Sequence, residues 1–204
     1  MLKNTFIQLI GNYTTESRLI KQLWEEIEEN YCNKRRHYHT LQHLENLFFQ
    51  LTETRAQIND WNCILFSIFY HDVIYNALKT NNEERSAEFA QNRMQLLGVP
   101  HMVIENCMQK ILASKKHVWS DEPDTNFFTD ADLSILGQQW EVYLAYSQNI
   151  RKEYSLFPDI IYQPGRKKVL LRFLQMERIF KTDFFFNKFE ITARENLQRE
   201  LEQL

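Results

Sequence analysis

Apolar positions recur at three-and-four spacing along most of the chain, the period of a helix with one face turned inward. Leu19, Ile20, Leu23, Trp24 and Ile27 form one such stripe within residues 14–30, where "TTES" supplies N-caps. Leu41, Leu44, Leu47, Phe48 and Leu51 form a second, and the spacing predicts a helix over about 38–54. Residues 61–70, "WNCILFSIFY", are apolar on nearly every side and predict a central buried helix that ends in "HD". A helix over about 81–97 is bounded by a capping box of Thr80 and Glu83 and closed by Gly98 and Pro100. Further helices are predicted over about 101–115, 130–154, 166–182 and 187–203, with loops at 117–128 and 156–165. No strand pattern, internal repeat or low-complexity tract interrupts this reading.

Composition agrees with an all-α fold. The chain has only 4 Gly and 4 Pro in 204 residues, too few for a fold rich in tight turns. Its length and 44% hydrophobic content fit one core, so the expected organisation is a single helical domain over 1–204. Motifs cluster within 36–137, and C-terminal helices over 140–204 complete the bundle. A net charge of −3 argues against bulk nucleic-acid binding. Three scattered cysteines, Cys32, Cys63 and Cys107, form no disulfide or thiolate-zinc pattern and fit a reducing cytoplasm. The longest apolar run is too short for a bilayer and the N-terminus lacks a signal segment, so no membrane association is expected. The aromatic segment "RIFKTDFFFNKFE" (178–190) fits either the cover of the core, favoured by 15 Phe in the chain, or a homodimer interface.

The chemistry concentrates in "RRHYHTLQH" (35–43) and in His71-Asp72. An ionised carboxylate at the end of an apolar helix costs several kcal/mol unless it is answered. A divalent cation would answer it, because imidazole and carboxylate together ligate Mn, Fe, Co, Ni and Zn. His43 and Asp132 of "TDADLS" offer a third and a fourth ligand. His39 and His43 stand four apart within the helix predicted from about Tyr38, hence on one face, whereas His37 lies about 200° round from His39. A zinc-protease helix is excluded, since Thr40 follows His39 where H-E-x-x-H requires Glu. Asp130 fits an acid in the first turn of a helix. Arg36, Lys115, Lys116, Arg151 and Arg166 are candidate phosphate grips, Arg36 and Arg166 the foremost, because guanidinium forks match phosphate oxygens.

His43, His71-Asp72 and Asp132 together resemble the H…HD…D signature of the HD superfamily of metal-dependent phosphohydrolases. "RHYHTLQHL", "FYHDVIYN", "NNEERSAEFA", "DADLSILG", "IRKEY" and "ARENLQREL" are similar to a bacterial family of predicted HD phosphohydrolases. "YHTLQH" also resembles the Y-H-N-x-x-H of cyclic-nucleotide phosphodiesterases. Tyr75, however, stands where those enzymes have a second histidine, which leads away from cyclic-nucleotide substrates.

The resemblance implies an all-α HD-type bundle with a metal site in a central cleft. It also implies hydrolysis of a small phosphorylated substrate, a nucleotide among the candidates, by metal-activated water (Mn, Mg, Fe, Ni, Co or Zn). Its branches differ over whether His43 or His39 is the first ligand; in the phosphodiesterase pattern His39 is the acid. It further implies that Glu84 positions water, Glu83 being taken by its capping box, and that His117 serves as acid or second-metal ligand. The alternatives are a regulatory phosphate-binding module on the same scaffold, and a di-iron oxygenase that would need His117 and His101.

Overall fold

A helix that is apolar on every side needs cover on every side, and residues 61–70 receive it. The computed structural model describes residues 1–204 and contains ten α-helices, two 3-10 turns and no strand, an all-α fold. Their order is α1 (Leu2–Gly11), α2 (Ser17–Tyr31), α3 (Leu41–Glu53), a 3-10 turn (Arg55–Gln57), α4 (Trp61–Tyr70), α5 (Asn82–Leu96), α6 (His101–Ala113), α7 (Pro123–Leu133), a second 3-10 turn (Ser134–Gly137), α8 (Trp140–Glu153), α9 (Asp159–Leu174) and α10 (Asp183–Gln203). No helix is long and apolar enough to cross a membrane. The residues group into two compact units, 1–129 and 130–204.

In the first unit α4 is the centre. Every side chain from Cys63 to Tyr70 is buried, and α1, α3, α5 and α6 all pack on it. Phe6 of α1 meets Phe69 edge-on, ring centroids 4.9 Å apart. Burying each large side chain contributes about 1.5–3 kcal/mol. The start of α4 is fixed by two carboxylates. Asp60 accepts the Cys63 N–H (2.9 Å) as an N-cap, while Asp124, in the first turn of α7, accepts the N–H groups of Asn59 (2.9 Å) and Asp60 (2.8 Å).

Several boundaries differ from the pattern-based expectation, each for a local reason. Helix α1 lies outside the predicted set. Helix α3 starts at Leu41, not near Tyr38, because Thr40 is extended (φ −114°, ψ 179°) and acts as N-cap. Helix α5 is capped by Asn81, not by a Thr80–Glu83 box: the Thr80 carbonyl and the Glu83 carboxylate both face Lys115 Nζ (2.6 and 3.5 Å). Residues 123–128 are helical rather than loop, since Pro123 suits a first helical position and Glu122 accepts the N–H groups of Asp124 (3.2 Å) and Thr125 (2.8 Å). The helix expected over 130–154 is broken by the turn at 134–137. Helix α9 begins at Asp159 and runs through Pro164, so "YQPG" is helix and not a turn.

In the second unit, Ile179, Phe180, Phe185 and Phe189 are buried, so the aromatic segment lies in the core. Asp130 is fully buried near the end of α7, not at a helix start. It accepts from Lys181 N (2.9 Å) and Nζ (3.2 Å) and from Thr182 N (2.7 Å) and Oγ1 (2.8 Å), pinning the chain where α10 begins. Asn196 of α10 donates to the Leu136 and Gln138 carbonyls (2.9 and 2.8 Å), seating the 3-10 turn against α10. Gly137 is required there because a Cβ would stand 2.9 Å from Phe189 Cα. Glu200 receives both forks of Arg166 (2.7 and 2.8 Å), the Ser147 hydroxyl (2.9 Å) and a short bond from the Tyr143 hydroxyl. Burial pushes the Glu200 carboxyl up, but the Arg166 guanidinium outweighs it and holds the carboxyl below its ordinary range.

This packing can be probed at two points. Gly137→Ala should lower stability by about 1–3 kcal/mol through overpacking against α10, and a denaturant midpoint equal to that of the wild type would show that the contact relaxes freely. Because the folded pKa of Glu200 is depressed, its contribution is present above the unfolded value, about 4.3, and is lost as pH falls through the folded one. Thermal melting of the wild type should therefore fall more steeply below about pH 4.3 than that of Glu200→Gln; parallel curves would remove Glu200 from the acid-labile set.

Candidate metal centre

Three segments far apart in sequence meet at the end of α4. His71 and Asp72 come directly after its last turn, His43 comes from the first turn of α3, and Asp132 comes from the last turn of α7. The ligand atoms of His43, His71 and Asp132 all lie within 4.8 Å of one another. His71 Nε2 is 3.1 Å from His43 Nε2 and 3.1 Å from Asp72 Oδ2, while His43 Nε2 is 3.8 Å from that oxygen. Both rings are buried, His71 at 1% exposure and His43 at 4%.

The donor chemistry fits a divalent cation. His71 Nδ1 lies 3.1 Å from the Ile68 carbonyl, an acceptor, which assigns the proton of a neutral ring to Nδ1 and leaves the Nε2 lone pair facing the cluster. An ion that holds N and O donors at ~2.1 Å sets adjacent donors about 3 Å apart, and the His71 contacts to His43 and Asp72 fall at that spacing. The cysteines are not part of this set: burial pushes the Cys107 thiol up to about 12, and the Cys63 thiol is raised for the same reason.

The main chain around the pair is held by side chains that sequence reasoning misses or misassigns. Arg36 is buried, not presented to a ligand. Its Nη1 donates to the carbonyls of Asp72 (2.7 Å) and His39 (3.2 Å), and its Nη2 to that of Val73 (2.8 Å). The guanidinium also lies over the rings of Tyr31 (4.8 Å) and Tyr75 (5.5 Å). Arg36 therefore braces the motif instead of gripping phosphate. The Tyr31 hydroxyl accepts the Asp72 N–H (3.2 Å), and Ser86 Oγ accepts the Ile74 N–H (3.1 Å) and donates to its carbonyl (3.2 Å). Ser86 is findable in principle, as a polar residue on the buried small-residue face of α5 with Ala87 and Ala90. Nothing local marks Tyr31.

His39 and His43 do not share a helix face, since His39 precedes α3. The bend before Leu41 still brings their rings to 5.8 Å. The metal group contains His43 and not His39. His39 stands beside it, Nε2 3.9 Å from Asp72 Oδ2, its ring stacked on Tyr75 at 4.1 Å. His37 is exposed.

Other expected residues are engaged elsewhere. Glu84 is paired with Lys115 Nζ at 2.5 Å on the surface, and that hydrogen bond lowers its carboxyl below the ordinary range; neither residue belongs to the candidate metal group. Arg166 is consumed by Glu200, and Arg151 by Asp159 (2.7 Å) and the Tyr154 and Phe157 carbonyls. His117 has a backbone role: at φ 51° its N–H bonds the Ala113 carbonyl (2.9 Å) and closes α6. His101 is exposed beside Glu105 (3.6 Å), which takes one of the two spare histidines from a di-iron site.

Comparison with protein-family models, with curated proteins and with solved structures finds no match for this chain.

The ligand assignment is tested by metal content after dialysis, with circular dichroism as the check on folding. His43→Ala and Asp132→Ala should lose bound divalent metal while staying helical, by more than the roughly 10–100-fold typical of outer partners. His39→Ala should keep it. Full metal content in Asp132→Ala would remove α7 from the site.

Proposed function

We propose that this protein is a metal-dependent phosphohydrolase acting on a small phosphorylated molecule. The observation that carries the reading is the convergence of His43, His71 and Asp132, with Asp72 against His71, in the order and residue types of the HD signature. The mixed imidazole and carboxylate set suits Mn, Fe, Co, Ni or Zn. A divalent cation held there would lower the pKa of bound water from 15.7 towards ~7 and offset charge on a phosphoryl oxygen.

The chain's own residues divide the remaining work. Asp72 and Asp132 supply negative charge, and the Ile68 carbonyl keeps the His71 Nε2 lone pair turned to the cluster. His39 is the group best placed to give a proton to the leaving oxygen. It is partly exposed, stands off the ligand group beside Asp72, and is oriented by the ring of Tyr75. Because the guanidinium forks of Arg36, Arg151 and Arg166 are all bound by protein groups, phosphate affinity is expected to arrive with the cation.

A screen of nucleotides, sugar phosphates and an aryl phosphate with added Mn, Co, Ni, Mg or Zn tests the reading. Phosphate release should require metal, vanish in Asp72→Ala and fall about 10²–10⁴-fold in His39→Ala with metal content unchanged. Release that survives chelation and Asp72→Ala would overturn the proposal.

A further inference from the structure

We infer that Arg36 is a positioning residue of the metal centre, setting its affinity by fixing the backbone that carries Asp72. The inference rests on the metal-centre reading and concerns the same site. Three observations carry it. The first is that one guanidinium joins the two motif segments: Nη1 bridges the carbonyls of His39 and Asp72, and Nη2 takes that of Val73. The bonds to Asp72 and Val73 span 36 and 37 residues of sequence, so they tie segments that no local structure connects.

The second observation is that two aromatic rings flank the hydrogen-bonded fork. Tyr31 and Tyr75 both lie within cation–π range of it, and the Tyr31 hydroxyl in turn accepts the Asp72 N–H (3.2 Å). Both main-chain polar groups of Asp72 are thus fixed, the N–H by Tyr31 and the carbonyl by Arg36. The Asp72 main chain is held in one place, so the carboxylate is delivered to His71 at 3.1 Å with little conformational freedom left to lose.

The third is the position of His39. Its carbonyl accepts from Arg36, and its ring stacks on the far partner of the same guanidinium, Tyr75, with centroids 4.1 Å apart and planes 29° apart. One cation therefore positions a ligand-bearing residue and its neighbour together. Lysine does not replace it, since an ammonium is a compact point charge and lacks the planar fork that reaches three carbonyls while lying within range of two rings.

The test is Co(II) titration of the metal-free protein, read by the visible ligand-field spectrum, with Zn(II) competition for affinity. Arg36→Lys is expected to bind metal about 10–100-fold more weakly, with a shifted Co(II) spectrum that reports altered ligand geometry. Tyr31→Phe keeps the ring but removes the hydroxyl that holds the Asp72 N–H. It should shift the spectrum in the same direction with a smaller loss of affinity, and it decides the question if Arg36→Lys does not fold. Wild-type affinity and a superimposable spectrum in whichever variant folds would overturn the inference. A wild-type protein that binds cobalt but releases phosphate from no substrate would overturn the hydrolase reading and leave this inference standing. A wild-type protein that binds no metal would overturn both.

Discussion

Helix α4 has no polar face to turn to water, so the hydrophobic effect drives it to the centre of its unit and draws the residues after Tyr70 inside with it. Those residues are a histidine at 1% exposure and an aspartate against its ring. Charge in that position is costly unless something answers it. The first unit is arranged around this constraint. Asp124 and Asp60 fix where α4 begins, Arg36, Tyr31 and Ser86 hold the chain where it ends, and α3 brings His43 to the same point.

Three buried carboxylates show how this chain answers charge with protein groups alone. Glu200 is met by an arginine fork and two hydroxyls, Asp130 by a lysine and the N–H and hydroxyl of Thr182, and Asp124 by two backbone N–H groups. Each is a closed set in which strong donors satisfy the oxygens. Around Asp72 the neighbours within 4 Å include three imidazoles, from His39, His43 and His71. Imidazole is a poor counter-ion when neutral and a good metal donor in that same form. The contrast between these two ways of compensating carboxylates separates the candidate metal cluster from the structural ion pairs elsewhere in the chain.

The helical class, the central helix and the candidate group of His43, His71 and Asp132 were legible because each leaves a local trace: periodicity, an unbroken apolar run, and chemically distinctive residues. The bend before α3 was not legible, since Leu41 to Leu51 continue a helical stripe and the side chain that ties the bend down binds carbonyls 36 and 37 residues away. The start of α7 had a signal in Pro123 after Glu122, outweighed by the polar composition around it. Arg36 and Arg166 show the general limit most clearly. Sequence reveals that a charge is present, but not what answers it, and the answer for Arg166 is Glu200, 34 residues on in another helix.

His43 lies in α3, His71 directly after α4 and Asp132 in α7, so the candidate group exists only in the folded chain. An unfolded chain presents the same side chains without their convergence, so the free energy of binding a cation there becomes free energy of folding. Helix α4 therefore serves two purposes: its burial supplies stability to its unit, and its C-terminal end places His71 in the candidate group with Asp72 against it.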